Sequence, residues 1–178
     1  FGALALRLAP QADPNAKAGM WTDGTTLGYN PEVIARWTDA ELQGVVCHEV
    51  LHCALGHPWR RDGRDAHRWN MAADYAINPL ISEAGMALPS GALLDSAYAG
   101  QAAEQIYAAL PEPPPPPSGG EGDAPGEAGG EPSDDGDQPA PAGEVRDAAP
   151  ADPRQEAEWE VATFQAAQAA KAQGKLPA

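Results

Sequence analysis

Apolar residues recur at helical spacing over residues 39–55, and this pattern predicts a buried helix there. Thr38 and Glu41 form a capping-box sequence at its start, and Gly56 is suited to end it because glycine adopts the left-handed conformation without strain. The apolar positions are Leu42, Val45, Val46, Val50, Leu51 and Leu55. The helix is therefore expected to pack inside a folded domain.

A second stretch, residues 69–78, has the same periodicity and predicts a second buried helix that ends at Pro79. Its apolar positions, with the residue that follows Pro79, are Trp69, Ala72, Ala73, Ala76, Ile77 and Leu80. Asp74 lies on this largely apolar helix, where a carboxylate without a partner would be costly. The acid is therefore expected to have a specific partner.

Shorter elements surround these two helices. Two β-prone runs, residues 20–22 and 25–29, flank Asp23-Gly24, a dipeptide typical of hairpin turns. Further helical segments are predicted at residues 1–8, 31–36 and 102–110. Together the elements predict a compact α+β domain over residues 1–110, with a small β-hairpin or sheet lying over the first helix.

The composition changes abruptly at Pro111 and stays rich in proline, glycine and acidic residues through residue 154. This segment has no aromatic residue and almost no large aliphatic residue, so it cannot bury enough apolar surface to offset its conformational entropy. We therefore predict a disordered acidic linker over residues 111–154. Residues 155–178 are alanine-rich, and we expect a helix that either docks on the core or leads into a missing C-terminal domain.

Charge and composition argue against several classes of protein. The net charge of −15 argues against a nucleic-acid partner, because phosphates require a basic surface. No apolar run approaches the roughly 20 residues of a membrane span, and no signal peptide is recognisable. Cys47 and Cys53 would face different sides of the first helix, so we expect no disulfide and a cytoplasmic setting. The chain starts at Phe1, and we expect the domain to be truncated at its N-terminus.

The candidate chemistry lies in the first helix, where His48, Glu49 and His52 form an H-E-x-x-H motif. Residues four apart on a helix differ by about 40° around its axis, so both histidines point the same way and can bind one metal ion. Zinc with two imidazoles and one carboxylate keeps an open position, and its bound water has a pKa of about 7. Glu49 is placed to be the general base for attack on a peptide carbonyl. A surface helix with two unrelated histidines is the alternative, but buried histidines need partners.

A zinc site of this type also needs a third protein ligand, and three residues are candidates. We expect Asp74 on the second helix, with Asn78 one turn further on to orient it. His57 is an alternative, although on a continuous helix it would point roughly 140° away from His52. His67, in the arginine-rich connector between the helices, is the other alternative.

Four stretches carry a resemblance to a known family: TDGTTLGYNPE (22–32), VVCHEVLHCALGHPWRR (45–61), WNMAADYAIN (69–78) and AEQIYAAL (103–110). In this order they resemble the bacterial predicted metal-dependent peptidases, in which a small zincin-like domain precedes a von Willebrand factor A-like domain. The resemblance implies a compact α+β zincin-like fold, a zinc ion and a cytoplasmic setting, often alongside a MoxR-type AAA+ ATPase. It also implies that the linker and final helix lead to the C-terminal domain.

The predicted function is that of a zinc metalloendopeptidase, with Glu49 as general base and an extended substrate paired with the strand at residues 25–29. The alternative is a non-catalytic, zinc-stabilised interaction module that works with a MoxR-type ATPase. Glu49 argues for the enzyme, because a purely structural zinc site has no use for a base. Hydrolysis of a non-peptide amide is a third alternative.

Overall fold

The computed structural model of the chain describes residues 2–112, 143–148 and 153–174. These residues form a mixed α+β structure, which confirms the predicted class at this level. The strands are β1 (Ala9–Ala12), β2 (Met20–Thr22) and β3 (Thr26–Tyr29). The helices are α1 (Gly2–Ala5), α2 (Pro31–Ile34), α3 (Asp39–Ala54), α4 (His57–Arg60), α5 (Ala66–Glu83), α6 (Ala103–Ala109) and α7 (Pro153–Ala172), with a 3-10 turn at Ser96–Tyr98. Across these described ranges, no helix has the length and apolar character needed to cross a membrane.

Strand β3 lies in the middle of the sheet, parallel to β1 and antiparallel to β2. The predicted turn between β2 and β3 is confirmed: the Asp23 carboxylate accepts hydrogen bonds from the backbone amides of Thr25 (2.9 Å) and Thr26 (2.7 Å), and Gly24 has a φ of 91°. The expectation that residues 25–29 pair with a substrate is wrong, because both edges of β3 are bonded to neighbouring strands. Strand β2 is the one that lies against α3.

Helix α3 begins at the predicted capping box. The Thr38 hydroxyl accepts a hydrogen bond from the Glu41 amide (3.2 Å), and the Glu41 carboxylate accepts one from the Thr38 amide (2.8 Å). Gly44 lies so close to the Ala87 carbonyl that an added Cβ would overlap it. After the helix, Gly56 has a φ of 73°, and this left-handed residue redirects the chain into α4.

Helix α5 is longer than the apolar pattern predicts. The helix spans Ala66–Glu83, so the prediction that it ends at Pro79 is wrong. Ile77 and Ile81 lie on either side of the proline and are both fully buried in a cluster with Cys47. Burying two such side chains stabilises the helix by about 1.5–3 kcal/mol each, which offsets the roughly 3 kcal/mol that an interior proline costs.

The C-terminal helix α7 docks on the core, which is the first of the two expected alternatives. Trp159 is 3% exposed, and its indole N–H donates a hydrogen bond to the Gly24 carbonyl at 2.8 Å. Its cluster also contains Leu4, Leu8, Val50 and Cys53. Cys53 and Cys47 are both free and buried. Trp159 is thus the large apolar anchor of the helix, and Ala162 and Ala166 pack against the same cluster. Val161 and Phe164 remain exposed.

Part of the predicted linker is ordered. Residues 113–142 and 149–152 lie outside the described residues, so the prediction of disorder stays a prediction there. It is wrong for residues 143–148, where Val145 is 8% exposed and forms an isolated parallel β-bridge with Thr22. The composition argument fails here because this short segment pairs with the edge of β2 and places Val145 in an apolar pocket of the folded domain.

Candidate metal centre

Two histidines of α3 and one aspartate of α5 converge in the interior. The Nε2 atoms of His48 and His52 lie 2.8 Å apart, and each lies 3.3 Å from Oδ1 of Asp74. All three side chains are buried, and their potential ligand atoms lie within 4.8 Å of one another. The structure therefore brings His48 and His52 of α3 together with Asp74 of α5 in a group able to hold a metal ion.

Asn78 orients the first of these histidines. Oδ1 of Asn78 lies 2.9 Å from Nδ1 of His48, and the Asn78 amide nitrogen donates to the Leu93 carbonyl at 3.0 Å. Because an amide oxygen only accepts, Nδ1 of His48 carries a proton, and the neutral ring therefore has its lone pair on Nε2. The expectation that Asn78 orients Asp74 is wrong, since its two hydrogen bonds go to His48 and Leu93.

His57 stands behind His52 and does not join the group. Nδ1 of His57 lies 3.0 Å from Nδ1 of His52, and the His57 ring packs edge-on against Trp69. When Nε2 of His52 binds a metal, its Nδ1 carries the ring proton, and Nδ1 of His57 is the acceptor within reach. The remaining alternative, His67, is exposed in the first turn of α5.

Asn70 is a site residue that the sequence analysis missed. Its side-chain amide donates to Oδ2 of Asp74 at a long 3.4 Å, and its oxygen accepts a hydrogen bond from the Val145 amide at 2.7 Å. Asn70, Asp74 and Asn78 follow one another at intervals of four residues, so they share one face of α5. That spacing is the signal in the sequence that identifies Asn70 as a neighbour of the acid.

Glu49 is fully buried beside the group of His48, His52 and Asp74, and among the described residues neither of its carboxylate oxygens has a hydrogen-bond partner. Burial raises the pKa of Glu49 to about 8, although the charge on His48 opposes the shift. The Glu144 amide is near enough to lower this pKa, but it makes no well-aligned hydrogen bond with the carboxylate. A carboxyl group with free oxygens and a pKa near neutrality is suited to exchange a proton with a nearby water.

The two histidines differ in how their surroundings shift their pKa values. Burial acts to lower the pKa of His48, but Asp74 and Glu49 raise it to about 9. Burial and the charge on His48 lower the pKa of His52 to about 4. Oδ1 of Asp74 has no aligned hydrogen bond within the described part of the chain, so its 3.3 Å contacts to the rings are electrostatic.

The donor set fits a divalent metal. Two imidazole nitrogens and one carboxylate oxygen are ligands that zinc accepts, at distances of about 2.0–2.2 Å. Ligand atoms on such a tetrahedral ion lie about 3.3 Å apart, which matches the two separations to Asp74, while the separation between the histidines is shorter at 2.8 Å. A cation would also supply the unpartnered Oδ1 with a counter-charge.

Comparisons with known proteins identify the family of the chain. An uncharacterized protein of Thermotoga maritima is 38% identical over 85 residues, which are 45% of this chain and 21% of that protein. The match thus spans about a fifth of the length of that relative. No solved structure matches the chain. The family described as "Putative metallopeptidase domain" matches residues 1–178, and the chain therefore belongs to this family.

Proposed function

We propose that the chain is a zinc-dependent metalloendopeptidase with a zincin-like fold, in which His48, His52 and Asp74 hold the metal. The observation that carries the proposal is the buried His-His-Asp group with the unpartnered carboxylate of Glu49 beside it. A structural metal site has no need of a buried, unbonded carboxylate next to its ligands, because such a group costs stability. A general base does need free oxygens.

The chain's own residues supply the proton transfers. A zinc ion held by the group would act as a Lewis acid that lowers the pKa of a water to about 7. A carboxylate oxygen of Glu49 takes the proton as the water oxygen attacks the peptide carbonyl carbon. Glu49 then returns that proton to the leaving amine as the C–N bond breaks. Asn78 and His57 hold the rings of His48 and His52 so that both Nε2 atoms face the same point.

A second candidate is a non-catalytic, metal-stabilised interaction module. It is supported by the closed state of the site, since Glu49 and His52 are both completely buried in the structure. The resemblance to the bacterial peptidases suggests a MoxR-type AAA+ ATPase and a von Willebrand factor A-like domain as partners of either candidate. Retained zinc without turnover of any peptide would favour this module.

Zinc content and peptide hydrolysis of Glu49→Gln test the proposal. Glutamine keeps the size of the side chain but cannot take the proton, so this variant should retain zinc and lose about 10²- to 10⁴-fold in rate. Glu83→Gln, at an exposed position of α5, is the matched control and should match the wild type in both measurements. Undiminished hydrolysis by Glu49→Gln would exclude Glu49 as the base, and a wild type that takes up no zinc would exclude the metal site.

A further inference from the structure

Residues 143–148, Gly-Glu-Val-Arg-Asp-Ala, lie along the edge of β2 and are called the strap below. The Thr22 amide donates to the Glu144 carbonyl at 3.0 Å, and the Arg146 amide donates to the Thr22 carbonyl at 2.8 Å. These bonds form a parallel β-bridge between Thr22 and Val145. Backbone pairing with a sheet edge is how sheet proteins bind extended peptides, largely independently of peptide sequence.

The strap places a glycine directly against the candidate site. A Cβ added to Gly143 would lie 2.7 Å from Cδ2 and 2.8 Å from Nε2 of His48, and closer still to Oε1 of Glu49. Only a residue without a side chain fits at this point. The same contact covers the nitrogen of His48 and the carboxylate of Glu49, so no second peptide can reach them while the strap is in place.

Two residues further on, the strap inserts an aliphatic side chain into a pocket. Val145 belongs to a buried cluster with Trp69, Ala73 and Ala103, and Tyr107 packs against it. The Val145 amide is bonded to Oδ1 of Asn70, whose amide nitrogen contacts Asp74. The pocket is therefore connected to the metal-binding group through one asparagine.

Charged contacts hold the remainder of the strap. The guanidinium of Arg146 lies 4.0 Å above the ring of Trp21 and 3.4 Å from the carboxylate of Asp13. Asp147 forms an ion pair with Arg61, whose Nε lies 2.6 Å from Oδ1 of the acid. Along its length the strap is thus bound first by backbone and apolar contacts and then by charged contacts, as a specific peptide ligand would be.

We propose that the edge of β2 and the metal-binding group form a peptide-binding cleft that the strap occupies in cis, which keeps the site closed. The cleft takes an extended peptide with glycine over Glu49, a β-branched aliphatic residue two positions later, and a basic and then an acidic residue after that. The claim that this peptide is also a substrate rests on the proposed function. The claim that the cleft binds the peptide does not depend on the proposed function. The strap must leave before such a peptide can enter.

The test measures binding of a fluorescent peptide Gly-Glu-Val-Arg-Asp-Ala to the whole chain, with mass spectrometry to show that the peptide stays intact. In the wild type the tethered strap competes at an effective concentration on the order of millimolar, so the peptide should bind weakly. Val145→Asp puts a charge in the apolar pocket and should release the strap. We expect this variant to bind the peptide at least about tenfold more tightly than the wild type does. Val161→Asp adds the same charge at a valine of α7 that is 56% exposed, and it should leave peptide binding unchanged.

A second variant and a second readout guard against a folding defect. Gly143→Leu overfills the contact with Glu49 and His48 but removes no core residue, so it should also release the strap. In both release variants the amides of Thr22 and Arg146 should exchange hydrogen faster, while the Asn30 amide, bonded to the Gly19 carbonyl at 2.9 Å, should stay protected.

The outcomes separate this inference from the proposed function. Tighter peptide binding by both release variants, without hydrolysis by any variant, supports the cleft and contradicts the peptidase. Hydrolysis by the wild type, with folded release variants that bind the peptide no more tightly and cleave no faster, supports the peptidase and overturns the strap as an occupant of the cleft. Tightening by Val161→Asp equal to that by Val145→Asp would also overturn it.

Discussion

Replacing Asn78 by alanine tests the most specific feature of the proposed metal site. The change removes the acceptor that faces Nδ1 of His48 at 2.9 Å, and it leaves the Leu93 carbonyl without its donor. Asn78 is 2% exposed, so solvent has poor access to either group. The ring of His48 then has no hydrogen bond that sets its proton on Nδ1 and its lone pair on Nε2.

The expected loss follows from these contacts. A buried donor without an acceptor costs about 1–3 kcal/mol. Loss of a partner that orients a metal-binding histidine lowers metal affinity about 10- to 100-fold, which is about 1.4–2.7 kcal/mol. The two ranges overlap, so the loss of the hydrogen bond to His48 is large enough to produce the expected fall in metal affinity. We therefore expect Asn78→Ala to bind zinc about 10- to 100-fold more weakly than the wild type, with unchanged stoichiometry.

Zinc titration against a competing chelator measures this loss, with Asn30→Ala as the matched control. Asn30 is also a buried asparagine; its side chain caps α2 at the Glu32 amide (3.0 Å) and donates to the Ala16 carbonyl (2.8 Å). Its loss should lower the free energy of unfolding by about 1 kcal/mol and leave zinc affinity unchanged. Wild-type affinity in Asn78→Ala would refute the role of this hydrogen bond. Equal weakening in Asn30→Ala would show that the effect reflects stability alone.

Three further predictions concern the second histidine partner, the C-terminal helix and an ion pair. His57→Ala removes the acceptor that faces Nδ1 of His52, a proposed metal ligand, so zinc affinity should fall about 10- to 100-fold in the same titration. Trp159→Ala should lower the free energy of unfolding by about 3–5 kcal/mol in urea denaturation, whereas Phe164→Ala, at a 65% exposed position, should change it by less than about 0.5 kcal/mol. Burial acts to raise the pKa of Glu104, but hydrogen bonds from its own backbone amide and from Arg60 hold this pKa below its usual value. The ionised Glu104 therefore stabilises the folded state above about pH 4.5, and this stabilisation is lost as the pH falls through the lowered pKa. Urea midpoints between about pH 5 and pH 3 should therefore fall less steeply for Glu104→Gln than for the wild type.

Local sequence patterns were sufficient for the parts of the site that lie within one turn of one element. The helical repeat of four residues places His48 and His52 on one face of α3, and the capping box at Thr38 begins that helix where predicted. The turn at Asp23-Gly24 is determined in the same way by side-chain and backbone conformations of neighbouring residues. Each of these features depends on interactions over at most four positions, so the sequence alone determines them.

Tertiary packing decided which distant residues meet the histidines. Asp74, His57 and His67 were all compatible with the sequence as partners. The packing of α5 against α3 brings Asp74 to Nε2 of both histidines and directs Asn78 to His48, whereas the turn at Gly56 puts His57 behind the group. Helix periodicity specifies which face of α5 these residues share, but it does not specify how two helices approach each other.

The strap is a stronger example of a feature that tertiary packing decides and local sequence does not. Composition predicts disorder for residues 111–154, because a segment of this kind has too little apolar surface to fold alone. Val145 is the only large aliphatic residue in that segment, and it gains its order from a pocket of α5 and α6 and from the edge of β2. A β-strand has no hydrogen bonds within itself, so it forms only where another strand supplies them. The sequence alone therefore determined the helix that carries the histidines, and only the folded structure determined what lies over them.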